Sequence, residues 1–273
     1  MTPRFWPAAL FVLSQWAGAQ ESVTFHWNPP DGARWLEHTV ATKQRLRMEE
    51  PVRTEITETT AEVSVRRTAT GWIVSSTPLA HVFTLNGRKV DPPVLEPLRK
   101  VALDFILDPE GKAVKVVGYA RAAAELAAMA ARMGKPIEFD MREFAQRDRD
   151  RWQALRGALS GVTVETGEIW EADGRFRPTP EITLPFTVST HYAGYTTYRG
   201  RPCYRIETRF RPRDEPRAPG KVTGHGERLI DPDTLFIYHE REERRARLAA
   251  RTLSVDPATL VERREYEATM LSP

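Results

Sequence analysis

The chain has 273 residues, and its 40 Lys+Arg against 37 Asp+Glu leave a formal net charge of +3. Opposite charges that nearly cancel exclude nucleic acid as the main partner, because binding to a phosphate backbone needs a surplus of basic residues on one surface. The single cysteine, Cys203, excludes an intrachain disulfide framework, while the length is ample for one large domain with its own core.

The first twenty residues read as a targeting segment. Arg4 provides a positive start, Phe5 to Trp16 is a short and mostly apolar run, and Ala17-Gly18-Ala19 places small residues where a signal peptidase cleaves, before Gln20. The run falls short of the roughly 20 apolar residues that span a bilayer. No later stretch is long and apolar enough to do so. The organisation expected is therefore a signal peptide over 1–19 and a single β-rich domain over 20–273, located in the periplasm or outside the cell.

Pro29-Pro30-Asp31-Gly32 is a turn cluster, followed by extended stretches around 34–48, 53–67 and 71–85. Val101, Leu103, Phe105 and Leu107 then alternate with other residues up to Asp108-Pro109-Glu110-Gly111. Pro pre-sets φ, Asp accepts backbone hydrogen bonds and Gly takes the left-handed position, so this segment predicts a hairpin continued by Val114, Val116 and Val117. Two helices interrupt the strands in an insertion at about 119–159. Residues 119–133 are strong helix formers stopped by Gly134 and Pro136, with Leu126, Met129 and Met133 on one face. The second, over about 138–159, carries Met141, Phe144, Leu155 and Leu159 at helical spacing.

Strands resume after Gly167-Glu168-Ile169-Trp170. Ile182, Leu184, Phe186, Val188 and Tyr192 lie on one side of an alternating pattern, and Tyr204, Ile206, Thr208 and Phe210 on another, as in antiparallel strands with one wet face. Ile230-Asp231-Pro232 and Val255-Asp256-Pro257 repeat the Asp-Pro turn device. The charged run Arg241 to Arg251 and the segment Glu262 to Glu265 are expected to face each other on neighbouring strands as Arg–Glu pairs. Together these elements predict an α+β fold, mainly antiparallel β, in which a large curved sheet or half-barrel carries two central helices on its apolar face.

The six histidines show no metal-ligand spacing, and the sequence contains no Gly-x-Ser-x-Gly, His-Glu-x-x-His or Gly-rich phosphate loop. No catalytic residue, metal or cofactor is assigned, and a non-enzymatic role is expected. Residues 103–118, the helices after them, Gly167 to Trp170 and Glu227 to Leu235 together resemble a family of uncharacterised exported bacterial β-sheet proteins. The order of strands, helices and strands also resembles the half-barrel of LolA-like lipoprotein carriers. That likeness implies a periplasmic carrier or chaperone for an apolar or acyl ligand; an envelope structural or protein-interaction domain, or a hydrolase of envelope polymers, are the other readings. The ligand-binding residues expected are Leu126, Met129 and Met133 with Phe186 and Tyr192, lining either an apolar cavity or a closed core. The partner is an apolar ligand or an envelope protein.

Overall fold

The computed structural model describes residues 22–91, 96–134, 140–179, 182–213, 215, 218–248 and 259–272. The proposed signal peptide and most of the third Asp-Pro turn lie outside them. In chain order, β1 (Ser22–Thr24), β2 (Arg34–Arg47), β3 (Glu50–Thr68), β4 (Gly71–Leu85) and β5 (Arg88–Lys89) precede α1 (Glu96–Arg99) and the hairpin β6 (Leu103–Leu107) and β7 (Ala113–Val117). Next come α2 (Tyr119–Met133), α3 (Met141–Trp152) and a π-helical turn (Gln153–Gly157). The second half holds β8 (Thr163–Glu165), β9 (Ile169–Thr179), β10 (Ile182–Tyr198), β11 (Arg201–Pro212), β12 (Gly220–Ile230), β13 (Ile237–Leu248) and β14 (Thr259–Ser272).

One large curved antiparallel sheet runs in the order β7-β6-β4-β3-β2-β14-β13-β12-β11-β10-β9, with β5 attached to β4, and it does not close into a barrel. Two meanders thus meet where the last strand, β14, pairs with β2 over most of its length. β1 and β8 form a separate two-stranded sheet. Alternation sends one set of side chains to the face on which the helices lie, and two apolar clusters form there. The larger gathers Phe25, Trp27, Trp35, Val63, Val74, Trp152 and Tyr192, and the smaller Phe176, Leu184, Phe186, Phe210, Val222 and Leu248. Cys203 is fully buried in the larger cluster. Of the tyrosines around the β10–β11 hairpin, Tyr192 and Tyr204 pack their rings 5.7 Å apart inside this core, while Tyr195 stays largely exposed.

The Asp108–Gly111 turn is a fixed point of the fold. Gly111 holds φ +82°, and Lys112 N donates to Asp108 Oδ1 at 2.8 Å. Three side chains grip the turn: Trp152 Nε1 donates to Gly111 O at 2.9 Å, Trp72 Nε1 to Pro109 O at 3.3 Å, and the Ser160 hydroxyl to Glu110 O. Two of these come from the helical insertion and its exit, so the turn pins that insertion to the sheet. α3 starts at Asp140, whose carboxylate caps Arg142 N and Glu143 N. α2, closed by Gly134 in the left-handed conformation, packs against α1 and α3.

Candidate functional site

The four residues Arg151, Trp152, Leu155 and Arg156 follow helical spacing and face the sheet together, one turn beyond Asp148. The π turn helps place them. Ala158 N reaches back five residues to Gln153 O at 2.7 Å, an expanded turn of the kind often found at functional sites. The Leu155 carbonyl accepts from Arg228 Nη1 of β12 at 3.2 Å, tying the turn to the sheet.

Between this helical segment and the sheet lies a cavity of about 350 Å³. One wall is apolar: Val63, Val74, Leu103 and Phe105 from β3, β4 and β6, closed by Trp152 and Leu155. The other wall, from β2, β13 and β14, is charged and strongly connected. Tyr266 Oη donates to Glu37 Oε1 at 2.7 Å, Trp35 Nε1 donates to the same oxygen at 3.0 Å, and Arg156 Nη2 lies 3.6 Å from it. Arg156 is buried, donates to Tyr266 Oη at 3.4 Å and lies over the Trp152 ring, 4.8 Å from its centroid. Beside this group, Glu240 accepts from Arg228 Nε at 3.2 Å and lies 4.0 Å from Arg264 Nη1. Asp148, at the edge, accepts from the Tyr119 hydroxyl.

Electrostatics keep the two tyrosines neutral. Burial pushes the Tyr266 pKa well above 10, the Glu37 charge adds to the rise, and Arg156 opposes it. The same two causes, burial and the Asp148 carboxylate, raise Tyr119. Arg151 differs from the other arginines. Its side chain lines the open part of the cavity, and among the described residues it makes no hydrogen bond or ion pair. The Glu240, Glu37 and Asp148 charges act on it through space, and a guanidinium stays protonated throughout. The site is thus a pocket with a greasy wall, a hydrogen-bonded polar wall on which Arg264 Nε lacks an acceptor, and, at its open part, Arg151 without an ion pair among the described residues.

No family model matches the chain, and no curated protein matches it. Among solved structures it is similar to one titled "Lipid-protein interactions in lipovitellin", with a TM-score of 0.48 and 10% identity over 89% of this chain and 25% of that one. This chain therefore spans a quarter of that structure's length. The reading of the cavity rests on its own residues.

The five residues expected to bind ligand do not come together. Leu126 is buried and Met129 half-buried on α2, but Met133 is 56% exposed at the end of the helix. Phe186 belongs to the smaller core cluster and Tyr192 to the larger one. Both face inward, but they stand six residues apart on β10, which at ~3.3 Å per residue is about 20 Å. None of the five lines the cavity described above. Its residues went unrecognised because they combine one helical turn with strands far apart in sequence. The available signal was Arg156, one helical turn beyond Trp152 and hence on the same face of the helix.

Proposed function

We propose that this chain is an exported binding protein, a carrier or chaperone whose cavity between α3 and the sheet holds an apolar, acyl-type ligand. The observation that carries this reading is the cavity's division into an apolar wall and a hydrogen-bonded polar wall. Ligand sites combine mostly apolar linings with a few oriented polar groups, and about 350 Å³ falls at the small end of the usual range, roughly 300–1,000 Å³. Helix and sheet meet here without closing into a dry core. The role is one of binding rather than turnover, and export follows from the Arg4 to Ala19 segment.

The test is displacement of a fluorescent medium-chain fatty acid from the purified protein, together with mass spectrometry of what it retains after purification. Saturable binding, lost on Val74→Trp, which fills the apolar wall, supports the carrier reading. Absence of binding alongside a native unfolding transition overturns it.

A second reading, an envelope protein-interaction domain, is favoured by β9. This strand ends the sheet without a second partner among the described residues, and Ile169 at its start is 60% exposed. An unpaired edge can accept a strand from another protein. Asp173, Arg175 and Pro178 are residue types that discourage such pairing, so the cavity remains the better supported site.

A further inference from the structure

Resting on the reading of the cavity as an acyl site, we propose that its ligand carries a single anionic head group, a carboxylate, and that Arg151 recognises it. The inventory of donors and acceptors around the cavity leads there. Each carboxylate has a partner: Glu37 accepts from Tyr266 and Trp35 and faces Arg156, Glu240 meets Arg228 and Arg264, and Asp148 accepts one hydrogen bond from the neutral Tyr119 hydroxyl. The donors outnumber them. Arg151 has no partner among the described residues, and Arg264 Nε is buried without an acceptor. Arg264 Nε is a buried donor that is costly to leave unmatched, and Arg151 offers further donors at the exposed edge, so a ligand that fits this site brings acceptors.

The charge balance points the same way. Arg151, Arg156 and Arg264 line the cavity with Glu37, Asp148 and Glu240, and only when Arg228, ion-paired to Glu240 behind the wall, is counted with them does the site carry one positive charge. A monoanion neutralises that charge, whereas a doubly charged phosphate monoester would leave an excess in a partly enclosed space. The walls also fix the orientation. Val74, Leu103 and Phe105 lie on strands at one side, and Glu240 and Arg264 on strands at the other, so a molecule filling both must be apolar at one end and an acceptor at the other. A guanidinium suits a carboxylate, which it can bind through two parallel hydrogen bonds.

The test compares decanoate with decanol, which share a chain and differ in the head group, by titration calorimetry on wild type, Arg151→Gln and Arg151→Lys. Decanoate should bind wild type more tightly than decanol does. Arg151→Gln should weaken decanoate by roughly ten- to a hundredfold and shift decanol less than twofold. Arg151→Lys should recover part of the preference. Because the Arg151 side chain is exposed, an unchanged unfolding midpoint is expected for both variants. Equal affinity for the two ligands, or equal losses of both in Arg151→Gln, overturns the head-group assignment while leaving the acyl site standing. Binding of neither ligand by the folded wild type overturns the acyl reading and this inference with it.

Discussion

Glu37 is the residue on which the polar wall depends. Its Oε1 atom accepts from Tyr266 and Trp35 and faces the Arg156 guanidinium, whose side chain is only 6% exposed. Replacing Glu37 with Ala strips the buried arginine of its carboxylate and leaves two donors without an acceptor. Removing one partner of a buried pair costs about 3–5 kcal/mol, and an unsatisfied buried donor about 1–3 kcal/mol. The neighbouring cavity admits water to the gap, and Arg156 keeps its contact with the Trp152 ring, which places the total near the lower end, about 3–4 kcal/mol. Glu37→Gln separates the terms. Its amide oxygen still accepts from Tyr266 and Trp35, so only the charge is lost, at about 1–2 kcal/mol. Urea unfolding followed by tryptophan fluorescence measures both, and an unchanged denaturant slope confirms that the folded state is the one affected. A cycle with Arg156→Met should show a coupling above about 1 kcal/mol between the two sites. Should Glu37→Ala lie within about 1 kcal/mol of wild type, Arg156 does not depend on this carboxylate and the network reasoning is wrong.

Gly111→Val should destabilise by more than about 2 kcal/mol, because the residue sits at φ +82° and an added Cβ would fall 2.2 Å from Trp27 Cγ; a midpoint equal to wild type in thermal unfolding would contradict this. Stability should fall as pH rises above about 10, where an unfolded tyrosine ionises. Burial and the Asp231 carboxylate hold Tyr238 up to about 12, and Tyr266 is held well above 10, so the native state keeps protons that the unfolded state has lost. The window for Tyr238 is pH 10 to about 12, and Tyr238→Phe should flatten the stability–pH curve there. Amino-terminal sequencing of the secreted protein should begin at Gln20; a product that retains Met1 would sink the export proposal.

Period-two alternation made most strands legible, because each is wet on one face: the extended stretches around 34–48, 53–67 and 71–85 are β2, β3 and β4. The Asp-Pro-Glu-Gly hairpin was equally plain, since its turn chemistry is local. The pairing of β14 with β2 was not, because nothing local fixes a register between residues more than 200 positions apart, such as Thr259 and Leu46. The second helix was expected to about 159, and it instead ends as α3 at Trp152 and continues as a π turn. The charged run was read as cross-strand Arg–Glu pairs, and the register places Glu243 opposite Arg263 and Glu242 opposite Arg264. What sequence could not show is which parity is enclosed. Arg263 and Glu243 pair at 2.7 Å, with Arg263 exposed, while Glu240 and Arg264, of the other parity, line the cavity.

That parity also explains why a cavity forms at this place. Along β13, Glu240, Glu242 and Arg244 separate Ile237 in the larger cluster from Ala246 and Leu248 in the smaller one, and along β14 Arg264 and Glu262 lie between Tyr266 and Leu260. A charged band therefore crosses the inner face between two apolar regions. The helical insertion must bury Trp152 and Leu159 on the larger cluster, but it cannot lie dry against carboxylates without supplying donors. Arg156 meets that need for Glu37, and Arg228 from the sheet itself meets it for Glu240. Packing stops where the band begins, and the space that remains is bounded by the cluster on one side and the band on the other. Arg151 extends the same helical face toward its N-terminus, within the field of Glu240, Glu37 and Asp148 but bonded to none of them. The fold thus requires an arginine at 156 for its own stability, whereas the arginine at 151 meets no such structural demand, which is why the search for a ligand begins with that residue.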